Sequence, residues 1–388
     1  MLAKRMQRLG TETAFVVLAR AKALEAQGRD IVHLEIGEPD FDTPPNIVAR
    51  AVAALQQGET HYGPAAGKPE VRRAFAEYIA RDRGLDVGPE NIVVTPGGKP
   101  IMYFVMTALV DEGDEVIYPN PGFPIYESVI NFLGATAVPL PLSEAKDFSF
   151  DIADLERLVS DRTKLLIINS PQNPTGGVLS GADLDAIARL AVKHDFWVLS
   201  DEIYSKIIYE GAHESIATRP GMPERTIILD GHSKTYAMTG WRLGYGVMPR
   251  ELADAVAMLQ TNCNSCTASF TQIAGAEALT GPQDAAIAMV AEFRARRDLL
   301  VAGLNDIPGI SCRMPHGAFY VFPNITQLGR KSAEIATLLL DKYGVAALSG
   351  TAFGRFGEGY LRFSYANSQP QIRKALERVR AMSADLLG

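Results

Sequence analysis

Short apolar runs alternate with helical segments along most of this chain, and that alternation limits the fold more than any other feature. The runs are 92–95 (IVVT), 115–118 (EVIY), 164–169 (KLLIIN), 197–200 (WVLS), 226–229 (TIIL) and 243–248 (LGYGVM). Between two of them, over 180–194, Leu184, Ile187, Ala188 and Ala191 recur at helical spacing. Continuous apolar strands separated by helices imply an α/β fold with a mainly parallel sheet, covered by helices on both faces. At 388 residues the chain exceeds one compact core, so two domains are expected. Residues 283–305 read as one long helix. The remainder of the chain reads as a smaller α+β unit, with strands near 318–322 and 360–365 and a helix at 331–343. The N-terminal stretch, residues 1–28, reads as a helix carrying Ala14, Val17, Leu18 and Ala21 on one face. The expected division is an arm at 1–44 that joins a small domain at 283–388, and a large domain at 45–282 between them.

Composition removes several function classes. The net charge is −7 with no long run of one sign, which argues against nucleic acid as the main partner. No uncharged apolar run approaches the roughly 18 residues that span a bilayer. Glu12 and Glu25 interrupt the apolar patch near the N-terminus, so it does not read as a signal peptide, and a cytoplasmic protein is expected. Cys263 and Cys266 have C-x-x-C spacing, but the third cysteine, Cys312, stands alone and no paired histidines complete a zinc site. They read as packed thiols. Lys68, in "GPAAGK", resembles a phosphate-loop fragment, but the spacing is one residue short and no Ser or Thr follows, so it reads as a solvated lysine.

Sites in open α/β sheets form beyond the carboxyl ends of the strands. Four unusual clusters fall there: "TPGGKP" (95–100), "SPQNPTGG" (170–177), "DEIY" (201–204), and Lys234 within "ILDGHSKTYAMTGWRLGYG" (228–246). Taken singly, each reads as a turn or a helix cap. Taken together at one rim they suggest a specific chemistry. A strand-end lysine can form a Schiff base with an aldehyde. A Gly-Gly turn opening a helix offers free N–H groups at Gly98 and Lys99 to a phosphate, with Pro100 suited to the first helical turn. Arg242 can add a charge-assisted grip. Asp201 is placed to keep a ring nitrogen protonated, and Tyr204 and Asn173 can bond a ring oxygen. These requirements describe pyridoxal phosphate.

The sequence also resembles the class I aminotransferases of fold type I, near the bacterial aspartate aminotransferase subgroup. The resemblance runs nearly end to end through "GEPDFDTP" (37–44), "HYGPAAGKPEVRRA" (61–74), "TPGGKP", "PGFPIY" (121–126), "SPQNPTGG", "SDEIYSKIIYEG" (200–211), "SKTYAMTGWRLGY" (233–245), "GAFYVF" (317–322) and "LRFSYA" (361–366). It implies a large domain built on a mainly parallel, seven-stranded sheet, and a ping-pong transaminase acting on an amino acid and a 2-oxo acid. Lys234 would carry pyridoxal phosphate as an internal aldimine and shuttle the proton. Asp201 would pair with the ring nitrogen, and Tyr204 and Asn173 with the ring oxygen. Gly98, Lys99, Ser233 and Arg242 would lie at the cofactor and its phosphate, and Phe123 would stack on the ring. Arg362 would clamp the substrate carboxylate, although its alternation with Leu361 and Phe363 alone suggests a solvent-facing side chain. Gly37 would allow close approach of the substrate. Tyr62 would reach the phosphate of a neighbouring subunit, which implies a homodimer. The N-terminal segment would form a lid presenting Phe15 and Val16, and this apolar lid favours an uncharged substrate side chain; the alternative is that a lysine or arginine of the partner subunit completes a site for aspartate. The chain departs from many relatives at Phe123, at Pro100, and at Gly231, where a hydroxyl residue is common. A β-lyase on the same scaffold is the enzymatic alternative. A cofactor-sensing regulator would need a DNA-binding domain that residues 1–36 are too short to form.

Overall fold

A computed structural model describes residues 2–388. In chain order the strands are β1 (Val32–His33), β2 (Ile92–Thr95), β3 (Glu115–Asn120), β4 (Thr136–Ser143), β5 (Ser149–Phe150), β6 (Thr163–Asn169), β7 (Trp197–Asp201), β8 (Thr226–Gly231), β9 (Gly244–Val247), β10 (Tyr320–Val321), β11 (Val345–Ala346), β12 (Leu348–Ser349) and β13 (Leu361–Ser364). The large sheet has the order β2-β9-β8-β7-β6-β3-β4-β5. Its centre is parallel, from β8 through β7, β6 and β3 to β4. Only β9 and the two-residue edge strand β5 run against their neighbours. The expected seven-stranded sheet is therefore present, with β5 added at its edge.

The apolar runs sort onto two faces because successive strand residues point to opposite sides. Leu165, Ile167, Leu199 and Leu229 pack with Ile101, Met102 and Val105 of the helix Lys99–Leu109. Leu166, Ile168 and Val198 pack on the other side with Leu184, Ile187 and Ala191 of the helix Gly181–His194. Ser180 caps that helix, accepting from the N–H of Asp183, whose carboxylate accepts from Ser180 N in return.

A second core joins the two ends of the chain. Val32 and Leu34 pack with Phe293, Tyr320, Phe363 and Val379. β1 pairs in parallel with β11, and β13 lies between β10 and β12. The helices expected at 283–305 and 331–343 are Asp284–Asn305 and Ser332–Asp341. The N-terminal helix is shorter than expected: a 3₁₀ turn at Lys4–Arg8 precedes Thr13–Glu25, and of its apolar face only Ala21 is buried. Lys68 also differs from expectation. It is half-buried rather than solvated, because Glu59 accepts from its Nζ at 2.8 Å and Glu70 lies at 3.4 Å. Among the described residues no helix is long and apolar enough to cross a membrane.

Candidate active site

The parallel register brings the functional rim together. Asn169 at the end of β6 stands opposite Asp201 at the end of β7, and Asp201 stands opposite Leu229 of β8. Lys234 follows three residues after β8 ends. Behind this rim the buried Arg83 links the strand ends. It donates to Glu202, next to Asp201, at 2.9 Å and to Asp230 of β8 at 3.1 Å. Paired and hydrogen-bonded, these charges hold the two strand ends in fixed relation, as an unpaired one could not.

In front of the rim lies a cavity of about 360 Å³. Lys234, Asp201, Tyr204, Asn173, Gly98 and Lys99 line it, and so do Phe123, Ser233, Arg242, Gly37 and Arg362. Tyr62 is the one proposed site residue outside it. Its ring is 90% exposed on the surface of this chain. Of the two lid residues, Phe15 lines the cavity and Val16 does not, because they point to different sides of their helix.

Lys234 Nζ donates to the carbonyl of Gly37 at 2.5 Å. Burial pushes its pKa down to about 8, with Arg362 pushing the same way and Glu38 opposing. This amine can therefore both take and return a proton near neutral pH. Asp201 accepts from Tyr126 Oη at 2.6 Å and more weakly from Ile203 N at 3.3 Å. Burial raises its pKa to about 6. Tyr204 and Tyr320 share a hydrogen bond of 2.8 Å between their hydroxyls. Asn169 Oδ1 accepts from Asn173 N at 2.9 Å, and Asn169 Nδ2 donates to Asp201 O at 3.0 Å, so one side chain ties two clusters together.

Arg362 corrects the reading from strand alternation. It is 3% exposed, because the face of β13 opposite Leu361 and Phe363 is turned to the cavity rather than to solvent. Its guanidinium lies 4.6 Å from the Tyr320 ring centre and 5.0 Å from that of Phe353. It donates to Asn173 Oδ1 and to the carbonyl of Glu35, while Nε has no partner. Among the described residues no carboxylate pairs with it. A buried cation in that state is built to receive an anion.

The phosphate end is shaped by glycines. Gly97 sits at φ +93°, and a Cβ there would lie 2.4 Å from Arg242 Nη2. Arg242 itself adopts φ +54° and donates to Thr239 O at 2.9 Å, which turns its guanidinium across the Gly97–Gly98 turn. The first N–H groups of the helix Lys99–Leu109 have no partner within it and open onto this spot. The donor set, two adjacent glycines, a helix N-terminus and an arginine, fits a phosphate ester. Gly231 is explained by crowding, since a Cβ there would lie 3.0 Å from Gly244 Cα and 3.2 Å from Ile203 Cδ1. A side chain there would require these neighbours to give way by a few tenths of an ångström.

Four contributors carry no site assignment at the sequence level: Tyr126, Asn169, Tyr320 and Glu12. Tyr126 falls three residues after Phe123, and Asn169 ends a strand at the functional rim, so spacing and strand-end position could have marked both. Tyr320 and Glu12 carry no local signal.

The comparisons with known proteins agree with this geometry. Residues 29–379 match the family described as aminotransferase class I and II. The aspartate/prephenate aminotransferase of Thermus thermophilus is 42% identical over 383 residues, covering 97% of each chain. The solved aspartate aminotransferase of Thermus thermophilus with maleate superposes with a TM-score of 0.94 at 41% identity, over 98% of this chain and 99% of that one. The alanine aminotransferase of Pyrococcus furiosus superposes with a TM-score of 0.95 at 32% identity, over 99% and 100%. None of these relatives supports the lyase alternative. This chain belongs to the class I and II aminotransferases, pyridoxal-phosphate enzymes that move an amino group between an amino acid and a 2-oxo acid.

Proposed function

We propose that Lys234 is the proton carrier of this transaminase, that Arg362 clamps the substrate α-carboxylate, and that the amino donor has an uncharged side chain. Bound against the Gly97–Gly98 turn, pyridoxal phosphate supplies an aldehyde for linkage to amines and a protonated ring that accepts the electron pair left at the α-carbon. The chain's own residues do the rest. Arg362 and Asn173 fix the carboxylate end of the substrate. Lys234 Nζ, neutral above about pH 8, would remove the α-proton and return it on the far side of the amino nitrogen. Asp201 would face the ring nitrogen, while Tyr204, held by Tyr320, and Asn173 would address the ring oxygen. Phe123 would cover one ring face, and Ser233, Gly98, the Lys99 N–H and Arg242 would hold the phosphate. Lys234→Ala should abolish turnover, and retained transamination would sink this assignment.

The observation that carries the donor class is an ion pair. Lys99 Nζ is bonded to Glu12 at the cavity mouth, and both side chains line the cavity beside Phe15. The cavity's remaining cations, Lys234, Arg242 and Arg362, already have roles. A substrate with a second carboxylate would have to displace Glu12 or be desolvated against apolar side chains, which is costly. The test compares kcat/KM for alanine, leucine, phenylalanine and aspartate in the native chain and in Glu12→Gln. The substitution should raise kcat/KM for aspartate about fivefold or more, by freeing Lys99, without raising that for alanine. If aspartate leads tenfold in the native chain, the donor assignment is wrong.

The working unit we propose is a homodimer in which Tyr62 reaches the partner's phosphate site. Its exposed ring, outside this chain's own cavity, supports that reading. Sedimentation and the cofactor affinity of Tyr62→Phe test it. The division at 1–44, 45–282 and 283–388 is likewise our proposal, supported by the β1–β11 pairing and the shared core of the two chain ends.

A further inference from the structure

We propose that Tyr126 is a positioning residue for Asp201, holding its carboxylate in the one orientation and ionic form that a protonated ring nitrogen requires. This inference rests on the reading that Asp201 faces that nitrogen.

Asp201 is almost wholly buried and, among the described residues, forms no salt bridge, so nothing nearby neutralises it at contact distance. An isolated buried carboxylate favours its neutral form. Its one strong partner is Tyr126, whose Oη lies 2.6 Å from Oδ2, the length of a hydrogen bond from a hydroxyl to an ionised carboxylate. The other oxygen receives only the longer bond from Ile203 N. Tyr126 cannot turn away. It is completely buried in the second position of the helix Ile125–Leu133, edge-on to Phe123 at 5.6 Å. Burial, and then the neighbouring Asp201 charge, hold its hydroxyl well above the usual tyrosine range. The phenol therefore remains protonated and always donates. In consequence Oδ2 is engaged from the side of Tyr126, the carboxylate plane is fixed, and an acceptor position stays directed at the cavity. Tyr126 also pulls the Asp201 pKa down against the dominant effect of burial. Because Tyr126 and Phe123 lie one helical turn apart, the segment 123–126 serves two parts of the site: one side chain covers the ring, the other secures its ionic partner.

The test strips the full chain of cofactor and measures Kd for pyridoxal phosphate and for its 1-deaza analogue, in which CH replaces the ring nitrogen. Tyr126→Phe keeps the ring and removes only the hydroxyl. It should weaken pyridoxal phosphate about 10-fold or more, the scale of one charge-assisted hydrogen bond, and leave the deaza analogue within about twofold. A purely structural role would weaken both equally, and that result, or no change in either, overturns the inference. Asp201→Asn separates this failure from failure of the underlying reading. If Asp201→Asn narrows the preference for pyridoxal phosphate over the deaza analogue and Tyr126→Phe does not, only the role of Tyr126 falls. If Asp201→Asn also leaves the preference intact, Asp201 is not the ring partner and both fall.

Discussion

Arg362 and Asn173, 189 residues apart in sequence, meet in the cavity, where Nη1 of the arginine donates to Oδ1 of the asparagine at 3.2 Å. The bond turns one edge of the guanidinium toward Asn173 and leaves Nε without a partner. Arg362→Lys keeps the charge but loses the planar fork that matches a carboxylate. We expect kcat/KM to fall roughly 10- to 100-fold, with most of the change in KM, since charge-assisted hydrogen bonds contribute about 1.5–3 kcal/mol. Steady-state kinetics decide it, and an unchanged kcat/KM would remove Arg362 from the binding role.

Gly37 is required by a neighbour as well as by a substrate. A Cβ at this position would lie 2.2 Å from Tyr320 Oη, the atom bonded to Tyr204. Gly37→Ala should therefore cost about 1–3 kcal/mol of stability through overpacking and lower kcat/KM. Tyr320→Phe deletes the clashing oxygen, so the double variant should recover part of the loss. Urea denaturation of the singles and the double tests the coupling, and strict additivity would contradict it.

How far the sequence exposed this molecule depended on whether the signal was local. β2 coincides with its apolar run at 92–95, and β6, β7 and β8 extend theirs by no more than two residues at either end, because strands buried on both faces are continuous and β-branched. β4 was hidden, since Pro139 and Pro141 argue against a strand. They lie two apart, so both nitrogens face the same side of the strand, and on its outer edge β4 is paired only at Leu142 and Ser143. In the site, Lys234, Asp201 and Asn173 were legible as strand-end residues within motifs. Glu12 and Tyr320 matter through contacts made across the fold, which no window of sequence displays. Arg362 misled as a pattern for the same reason: alternation reports which face a residue takes but not whether that face meets water or a cavity.

The buried Asp201 carboxylate should make the cofactor-free protein less stable than it could be. Its pKa is raised from 3.8 to about 6, so the folded state holds its proton more tightly than the unfolded state does. Stability from this group is greatest below about pH 4 and is lost as the pH rises through 6. Asp201→Asn removes the titration. Cofactor-free Asp201→Asn should accordingly gain about 1–3 kcal/mol over the native chain near pH 8, and little near pH 4. Urea midpoints at the two pH values measure this, and an equal effect at both would show that burial of the charge is not the cause.

Lys234 offers a pH dependence of the opposite kind. Its pKa is lowered to about 8, chiefly by burial, while Glu38, anchored by Thr239 Oγ1, pulls it up. The neutral, nucleophilic amine thus predominates only above about pH 8. Acetylation of Lys234 in the cofactor-free protein by an uncharged reagent, followed by peptide mass, should rise about tenfold from pH 7 to a plateau, with a midpoint near 8. Glu38→Gln removes the opposing charge and should move that midpoint lower. Because Glu38 is exposed, the displacement should shrink in high salt. A native midpoint near that of a free lysine would mean that the amine is not desolvated. A midpoint moved upward by Glu38→Gln would mean that the sign of the Glu38 interaction is wrong.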